Sequence, residues 1–157
     1  MQIDGRCHCG AISFTAELDP AEVRACHCTD CQVLSGAPFR AVATVPIGKF
    51  SLTGQPKTYV KVAQSGNRRA QVFCAECGTS LYSCAAENPT AVVIRLGCVA
   101  QRAQLKPVVQ YWHRSAMPWL DELDTIPAIA ESLTTPVPET ADPAGLSYDS
   151  MTSARRE

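Results

Sequence analysis

Cysteine constrains this chain more than any other residue type does. The 157 residues include nine cysteines, and seven of them fall into three short clusters. The clusters are Cys7-His8-Cys9, Cys26-His27-Cys28-Thr29-Asp30-Cys31 and Cys74-Ala75-Glu76-Cys77. The amino-terminal segment shows no basic stretch followed by an apolar run, so no secretion signal is predicted. In a reducing compartment, an odd number of tightly grouped cysteines favours metal ligation over disulfides.

Ligand counting divides the clustered cysteines into four and three. Thiolate is a good ligand for zinc, and structural zinc sites are four-coordinate. The pairs Cys7/Cys9 and Cys74/Cys77 are predicted to close one such site, which would tie the amino-terminal segment to the middle of the chain. The segment 26–31 supplies three thiols, and a catalytic zinc typically has three protein ligands and one open position. We therefore interpret Cys26, Cys28 and Cys31 as an open site.

Other ligands for these sites are possible but less favoured. His8 and His27 each stand between two cysteines, and in an extended segment such a side chain points away from its neighbours. Asp30 is predicted to be a solvated turn residue or a partner of a backbone N–H group rather than a ligand.

The remaining cysteine alternatives are packing and redox chemistry. Cys84 and Cys98 are isolated in the sequence, and cysteine is often simply buried, so both are predicted core residues. A redox C-x-x-C pair at Cys28/Cys31 or Cys74/Cys77 lacks the βαβ context of thioredoxin-like chemistry.

Short strand-like segments dominate the first 115 residues. Within 11–18, Ile12, Phe14, Ala16 and Leu18 alternate with polar residues, which predicts a half-buried strand. Segments rich in Val, Ile, Thr and aromatic residues predict further strands at 39–45, 57–63, 68–73, 79–84, 91–96 and 107–112. Their spacing predicts an all-β fold of antiparallel sheets with little helix.

Helix is predicted at only two places. Thr29 is expected to cap a short helix that ends near Ser35, with Gln32 in the capping-box position. The segment 127–133 begins with a proline suited to a first helical turn. We predict a zinc-binding domain over residues 1–133 and a mobile, Pro-rich tail over residues 134–157.

Composition restricts the partners and the location. Hydrophobic residues make up 46% of the chain, and the 14 basic and 15 acidic residues give a net charge of -1. We therefore predict no nucleic-acid partner and no membrane-surface partner. No apolar run approaches the roughly 18 residues of a spanning helix. The expected location is cytoplasmic, and the sheet edges make a homodimer an expectation.

Three motifs together resemble a known family. They are GRCHCGAISF, ACHCTDCQVLSGAPF and VFCAECGTSLY, in this order and at this spacing. The combination resembles the glutathione-dependent formaldehyde-activating (GFA) family, which also includes centromere protein V. The resemblance covers roughly residues 3–120, including the late segment YWHRSAMPWL.

The resemblance implies a fold, two metal ions and an activity. It implies a β-tent fold with two zinc ions per chain: a structural zinc held by Cys7, Cys9, Cys74 and Cys77, and a catalytic zinc held by Cys26, Cys28 and Cys31. In the founding enzymes, glutathione and formaldehyde combine to S-(hydroxymethyl)glutathione. The implied activity is that of a carbon–sulfur lyase or synthase acting on thiol–aldehyde adducts, with a glutathione-like thiol and an aldehyde as partners.

The motifs identify the metal ligands more precisely than they identify the residues that would contact such a substrate. Arg24, Arg40, Arg68 and Arg69 are candidates for pairing with substrate carboxylates, although Arg68 and Arg69 also fit solvated strand ends. His27 has a pKa range suited to proton relay but also fits packing on the sheet. Trp112 and Trp119 fit packing or the wall of a ligand cleft.

Two alternatives to an enzyme stay open at this stage. One is a non-catalytic zinc module that binds a protein or a small thiol. The other is a thiol redox sensor, in which two of the three cysteines Cys26, Cys28 and Cys31 would form a disulfide as zinc is released.

Overall fold

The computed structural model describes residues 1–63 and 65–129, which form ten strands and one α-helix. The strands are β1 Gln2–Arg6, β2 Ser13–Glu17, β3 Val23–Cys26, β4 Arg40–Pro46, β5 Phe50–Thr53, β6 Lys57–Val62, β7 Arg68–Phe73, β8 Ser80–Ala85, β9 Ala91–Arg95 and β10 Val109–Tyr111. The helix is α1, Thr29–Ser35. The all-β prediction with little helix is confirmed.

The strands form two sheets. The small sheet has the order β1-β2-β5, and the large sheet has the order β10-β3-β4-β9-β8-β7-β6. Every pair is antiparallel except β10 with β3, which is parallel. Pairing of β7 with β8 shifts register between Val72 and Phe73, directly before Cys74. Such irregularities redirect the chain as it leaves a sheet.

The hydrophobic core draws residues from both sheets. Ile3, Phe14 and Ala16 of the small sheet are buried in the same cluster as Val23 and Ile94 of the large sheet. The alternation predicted for residues 11–18 is confirmed, because Ile12 and Leu18 are also buried. Side chains alternate between the two faces of a strand, so one face of the large sheet is committed to this core.

The opposite face of the large sheet is polar. Arg95 of β9 lies directly across from Val42 of β4, and Arg40 stands two residues before Val42 on the same face. Ser83 of β8 lies across from Gln71 of β7. Two residues before Gln71 on the same face is Arg69, which lies across from Lys61 of β6. A row of polar and cationic side chains therefore crosses four neighbouring strands and the edge strand β6.

Seven predicted strands are found, and three others were missed. All three, β1, β3 and β5, have only four or five residues, and charged residues or glycine also interrupt the apolar alternation of β1 and β3. The predicted cap of α1 is wrong. Cys28, not Thr29, is the N-cap, and its Sγ accepts a hydrogen bond from the backbone N–H of Cys31 at 3.4 Å. The third N–H of the helix is therefore satisfied by sulfur, not by the Thr29 hydroxyl.

The chain divides into a unit of residues Met1–Pro118 and a second unit that starts at Trp119. A 3-10 helix spans Pro118–Glu122, so it begins at the last residue of the first unit, and residues 127–129 are not helical. The rest of the helix predicted at 127–133, and the tail predicted at 134–157, lie outside the described residues. In the part of the chain that the structure describes, no helix is long and apolar enough to cross a bilayer.

Candidate metal centres and the adjoining cavities

The first and third cysteine motifs fold into two similar turns. In the first, the N–H of Gly10 donates to the carbonyl of Cys7 at 3.1 Å, and in the other the N–H of Gly78 donates to the carbonyl of Cys74 at 3.0 Å. Both glycines have positive φ, 82° and 71°. A residue with a side chain is strained in this conformation, so glycine permits each turn to bring its two thiols to one side.

These turns bring four sulfurs together as the four-cysteine cluster, Cys7, Cys9, Cys74 and Cys77. All four Sγ atoms lie within 4.8 Å of one another. Cys7 Sγ is 3.5 Å from Cys9 Sγ, and Cys9 Sγ is 3.7 Å from Cys74 Sγ. Sulfurs at about 2.3 Å from a tetrahedral zinc lie roughly 3.8 Å apart. The donor set and its spacing therefore fit a zinc ion.

Hydrogen bonds set the ionisation of this cluster. The Thr79 hydroxyl, 3.1 Å from Cys77 Sγ, is the main cause of the lowered pKa of Cys77, which is about 5. Burial acts to raise the pKa of Cys7, but hydrogen bonds from the Ile12 N–H and from neighbouring thiols bring that pKa below its usual value. The Ala11 N–H acts to lower the pKa of Cys9, but sharing protons with Cys7 and Cys77 raises it to about 12.

The second motif forms the three-cysteine cluster, Cys26, Cys28 and Cys31. Cys26 ends β3, Cys28 caps α1, and Cys31 lies in the first turn of that helix. Their Sγ atoms lie within 4.8 Å of one another, and all three residues are half-buried. Burial raises the pKa of Cys26 and of Cys31. A bound metal ion would have to displace protons from these thiols.

The alternative ligands lie elsewhere. Within residues 1–63 and 65–129, the metal-capable groups consist of these two sets of cysteines, with no histidine or carboxylate in either. His8 is exposed, and Asp30 forms an ion pair with Lys61. His27 is 3% exposed, its Nε2 is 2.7 Å from Gln110 Oε1, and its ring packs against Phe39.

The nine cysteines are all free thiols. Cys84 is buried in the core, and the partly buried Cys98 packs against that core, as predicted for the two isolated cysteines. The Cys98 thiol donates to the Arg95 carbonyl at 3.0 Å, and burial raises the pKa of Cys98 to about 11.

Two cavities adjoin the three-cysteine cluster. The larger, of about 570 Å³, is lined by Cys28, Lys61, Trp112, Arg114 and neighbouring residues. The smaller, of about 200 Å³, is lined by Cys28, Cys31 and residues of the polar sheet face. Both cavities include Cys28, Asp30, Lys61 and Ala63 in their walls, so they meet beside the thiols.

The predicted arginines separate into two groups. Arg40 and Arg69 line the smaller cavity. Arg24 instead pairs with Glu22 at 2.7 Å, and the exposed Arg68 pairs with Glu87 at 2.5 Å. Sequence reasoning missed Arg95, because a charged residue that ends an apolar strand does not reveal which strands will flank it.

Burial weakens the protonation of the two innermost arginines. Burial lowers the pKa of Arg40, and burial together with the positive charge of Arg40 lowers the pKa of Arg95 to about 9. Both guanidinium groups therefore lie where a positive charge is poorly solvated.

The two tryptophans occupy different settings. Trp112 is half exposed, lines the larger cavity, and has the left-handed backbone conformation with φ 57°. The Arg114 guanidinium lies over its ring at 4.8 Å from the centroid. Trp112 therefore forms a cleft wall, whereas Trp119 belongs to the second unit and is exposed.

The fold and these sites define a class: all-β proteins that carry one four-thiol and one three-thiol cluster, each suited to a metal ion. Residues 2–115 match the family described as "Glutathione-dependent formaldehyde-activating enzyme". The chain belongs to this family, which confirms the resemblance seen in its motifs.

Two individual proteins are also similar to this chain. An uncharacterized lyase of Schizosaccharomyces pombe is 31% identical over 85 residues, which cover 52% of this chain and 56% of the relative. The chain thus spans about half the length of this curated relative. A crystal structure of a Rhodobacter sphaeroides protein matches with a TM-score of 0.54 at 21% identity, over 68% of this chain and 98% of that one. The latter likeness shows the shared fold alone.

Proposed function

We propose that this protein is a zinc-dependent carbon–sulfur lyase or synthase that acts on thiol–aldehyde adducts. The observation that carries the proposal is the three-cysteine cluster, which has no fourth protein ligand among the described residues and opens onto two cavities. A structural zinc site is instead saturated by four protein ligands, the number that the four-cysteine cluster supplies. The family description, which couples glutathione to formaldehyde, and the relative named as a lyase support the same reaction class.

We assign the two clusters different roles. Cys7, Cys9, Cys74 and Cys77 would hold a structural zinc, which links the end of β1 to the turn between β7 and β8. Cys26, Cys28 and Cys31 would hold the catalytic zinc. Zinc bound there would lower the pKa of a substrate thiol, so that thiolate is available at neutral pH.

The proposed reaction is the addition of a thiol to an aldehyde. The sulfur attacks the carbonyl carbon, a carbon–sulfur bond forms, and the π electron pair of the carbonyl moves to oxygen. The thiol proton ends on that oxygen, so the product is a hemithioacetal, and the lyase direction reverses each step. Glutathione and formaldehyde would give S-(hydroxymethyl)glutathione. The larger cavity, walled by Trp112 and Arg114, is the proposed place for the thiol substrate.

Exchange NMR of glutathione with formaldehyde tests the proposal. Protein carrying two zinc ions per chain is expected to accelerate formation of the hemithioacetal over the uncatalysed rate. Cys28→Ser should retain one zinc and lose the acceleration. Cys84→Ser removes a thiol outside both clusters. This variant should retain both zinc ions and the acceleration. If the fully loaded protein gives no acceleration, this substrate pair is wrong.

A second candidate is a non-catalytic zinc module that binds a protein. Tyr59 and Val62 expose apolar side chains on the edge strand β6 and line one surface depression together with Val33, which favours a protein contact. One inert zinc per chain that added thiol cannot exchange would support this alternative. A redox sensor would instead release zinc under mild peroxide, with a mass loss of two protons.

A further inference from the structure

The smaller cavity beside the three-cysteine cluster is built from the polar face of the large sheet. Arg40 lies directly across from Cys26 in the pairing of β4 with β3. Arg95, from the next strand, lies on the same face, and both arginines line the cavity together with Cys28 and Cys31. Rigid strands therefore place two guanidinium groups next to the proposed reaction centre.

These two arginines are buried without the partners that a buried cation requires. Arg40 is 5% exposed and Arg95 is 7% exposed. Arg95 Nη2 donates to Gln71 Oε1 at 2.8 Å, but Arg95 Nε, Arg40 Nε and Arg40 Nη2 have no hydrogen-bond partner among the described residues. Buried charged donors are normally paired. Several N–H groups are thus left for a ligand with acceptor oxygens.

The excess positive charge of the cavity lining also favours binding of an anion. Its cations are Arg40, Lys61, Arg69 and Arg95, and its one carboxylate, Asp30, is already paired with Lys61. In the described part of the chain, no acidic side chain pairs with the three arginines. Three thiolates around one zinc ion carry a net charge of -1. Two positive charges would therefore remain in the lining even with that centre filled.

The size of the cavity restricts the ligand. A volume of about 200 Å³ admits a small group but not a whole tripeptide. A neutral aldehyde such as formaldehyde would leave the arginine N–H groups without an anionic partner. A carboxylate matches the planar fork of a guanidinium group and accepts two of its N–H bonds.

We propose that Arg40 and Arg95 form a carboxylate-binding subsite for the substrate adduct of the three-cysteine centre. This inference rests on the proposed function and specifies its substrate class. The carboxylate belongs either to the aldehyde, which would then be a small oxo acid, or to the thiol. In either case the arginines orient the adduct and take no part in bond making. The carbon–sulfur bond forms and the thiol proton moves to the carbonyl oxygen, as in the reaction of a substrate without a carboxylate.

Four substrate pairs separate the two sources of the carboxylate. Either 2-mercaptoethanol or glutathione is combined with either formaldehyde or glyoxylate, and exchange is measured with the zinc-loaded protein. The variants are Arg40→Gln and Arg95→Gln. Arg68→Gln is the matched control, because it removes the same charge from the same sheet at an exposed position paired with Glu87.

The subsite predicts a selective loss. In Arg40→Gln and Arg95→Gln, exchange of carboxylate-bearing pairs should fall about ten- to a hundredfold, the range for a charge-assisted hydrogen bond. The pair 2-mercaptoethanol and formaldehyde should change less than about twofold. A loss that follows glyoxylate assigns the carboxylate to the aldehyde, and a loss that follows glutathione assigns it to the thiol. An equal loss for all pairs would overturn the subsite.

Two further readouts keep this test independent of turnover. Calorimetric titration with glyoxylate or glutathione alone measures binding, so it can reveal the subsite even if no pair is accelerated and the proposed function fails. Zinc content must stay at two ions per chain in the variants. If zinc is lost instead, the arginines only neutralise the metal centre and the subsite is wrong. Should both variants fail to fold, Arg40→Lys and Arg95→Lys replace them, because lysine keeps the buried charge but lacks the planar fork, and the same selective loss for carboxylate-bearing pairs is expected.

Discussion

Individual thiols in the two clusters differ in how readily they give up a proton. Two of the four-cysteine cluster, Cys7 and Cys77, have lowered pKa values, and Cys9 has a raised one. In the three-cysteine cluster, burial raises the pKa of Cys26 and Cys31. A metal ion competes with protons for thiolate, so a group with a higher pKa is protonated at a higher pH as the solution is acidified.

The two metal sites are expected to empty in a fixed order, because three thiolates hold a metal ion less tightly than four and burial adds to the cost of ionising Cys26 and Cys31. As pH is lowered from 8 towards 5, zinc should leave the three-cysteine cluster before the four-cysteine cluster. Release can be followed with a zinc-binding dye in wild type and in Cys28→Ser. The variant should lack the release step at higher pH and keep the one at lower pH. Simultaneous release of both ions from wild type would contradict this order.

At the scale of elements, short irregular segments rather than regular strands position the thiols. Both turns of the four-cysteine cluster leave a strand of a sheet, β1 or β7, and the three-cysteine cluster sits where β3 passes into α1. The end of the small sheet is also joined to the segment after β9, because Gly5 pairs with Val99 in an isolated bridge. The approach at Gly5 is too close for any side chain.

Gly5→Ala is predicted to destabilise the protein. A Cβ atom at this position would lie 2.2 Å from Phe14 Cζ and 2.6 Å from the Cys98 carbonyl oxygen. Relief requires movement of a buried ring and of backbone, which costs about 1–3 kcal/mol of unfolding free energy. The measurement is urea denaturation followed by circular dichroism.

Gly48→Ala serves as the matched control for that substitution. Its added Cβ would have no atom within 4 Å, and its φ is not in the left-handed region. Its stability should equal or exceed that of wild type by a few tenths of a kcal/mol. Equal destabilisation by both substitutions would show that the contact at Gly5 is not the cause.

At the scale of the whole molecule, the large sheet has two edges, β10 and β6. Edge strands expose unpaired backbone groups and are common sites of self-association. On β6, Tyr59 and Val62 are exposed, and with Val33 of α1 they line a shallow surface depression. A homodimer through this edge stays a prediction.

Sedimentation velocity tests that homodimer. The wild type is expected to show a concentration-dependent dimer, and Val62→Lys should shift it to monomer, because a charge would be buried in the contact. Val108→Lys is the control, since Val108 is equally exposed (64% against 66% for Val62) but precedes β10 at the other edge. If only the control variant dissociates the dimer, the contact lies at β10. A wild type that is monomeric at all concentrations would contradict the prediction of a homodimer.

The sequence by itself determined the division of seven cysteines into four and three, the β class and most of the strands. These follow from local patterns: paired thiols beside glycine, and apolar residues alternating with period two. The division predicts that Cys7 lies beside Cys74. These residues are 67 positions apart in the chain, and only the folded sheets show them together. The tertiary structure alone decided that Arg95 joins Arg40 beside Cys31, and that Cys28 rather than Thr29 caps α1. Strand order and register place distant side chains on one face, and no local pattern encodes that register.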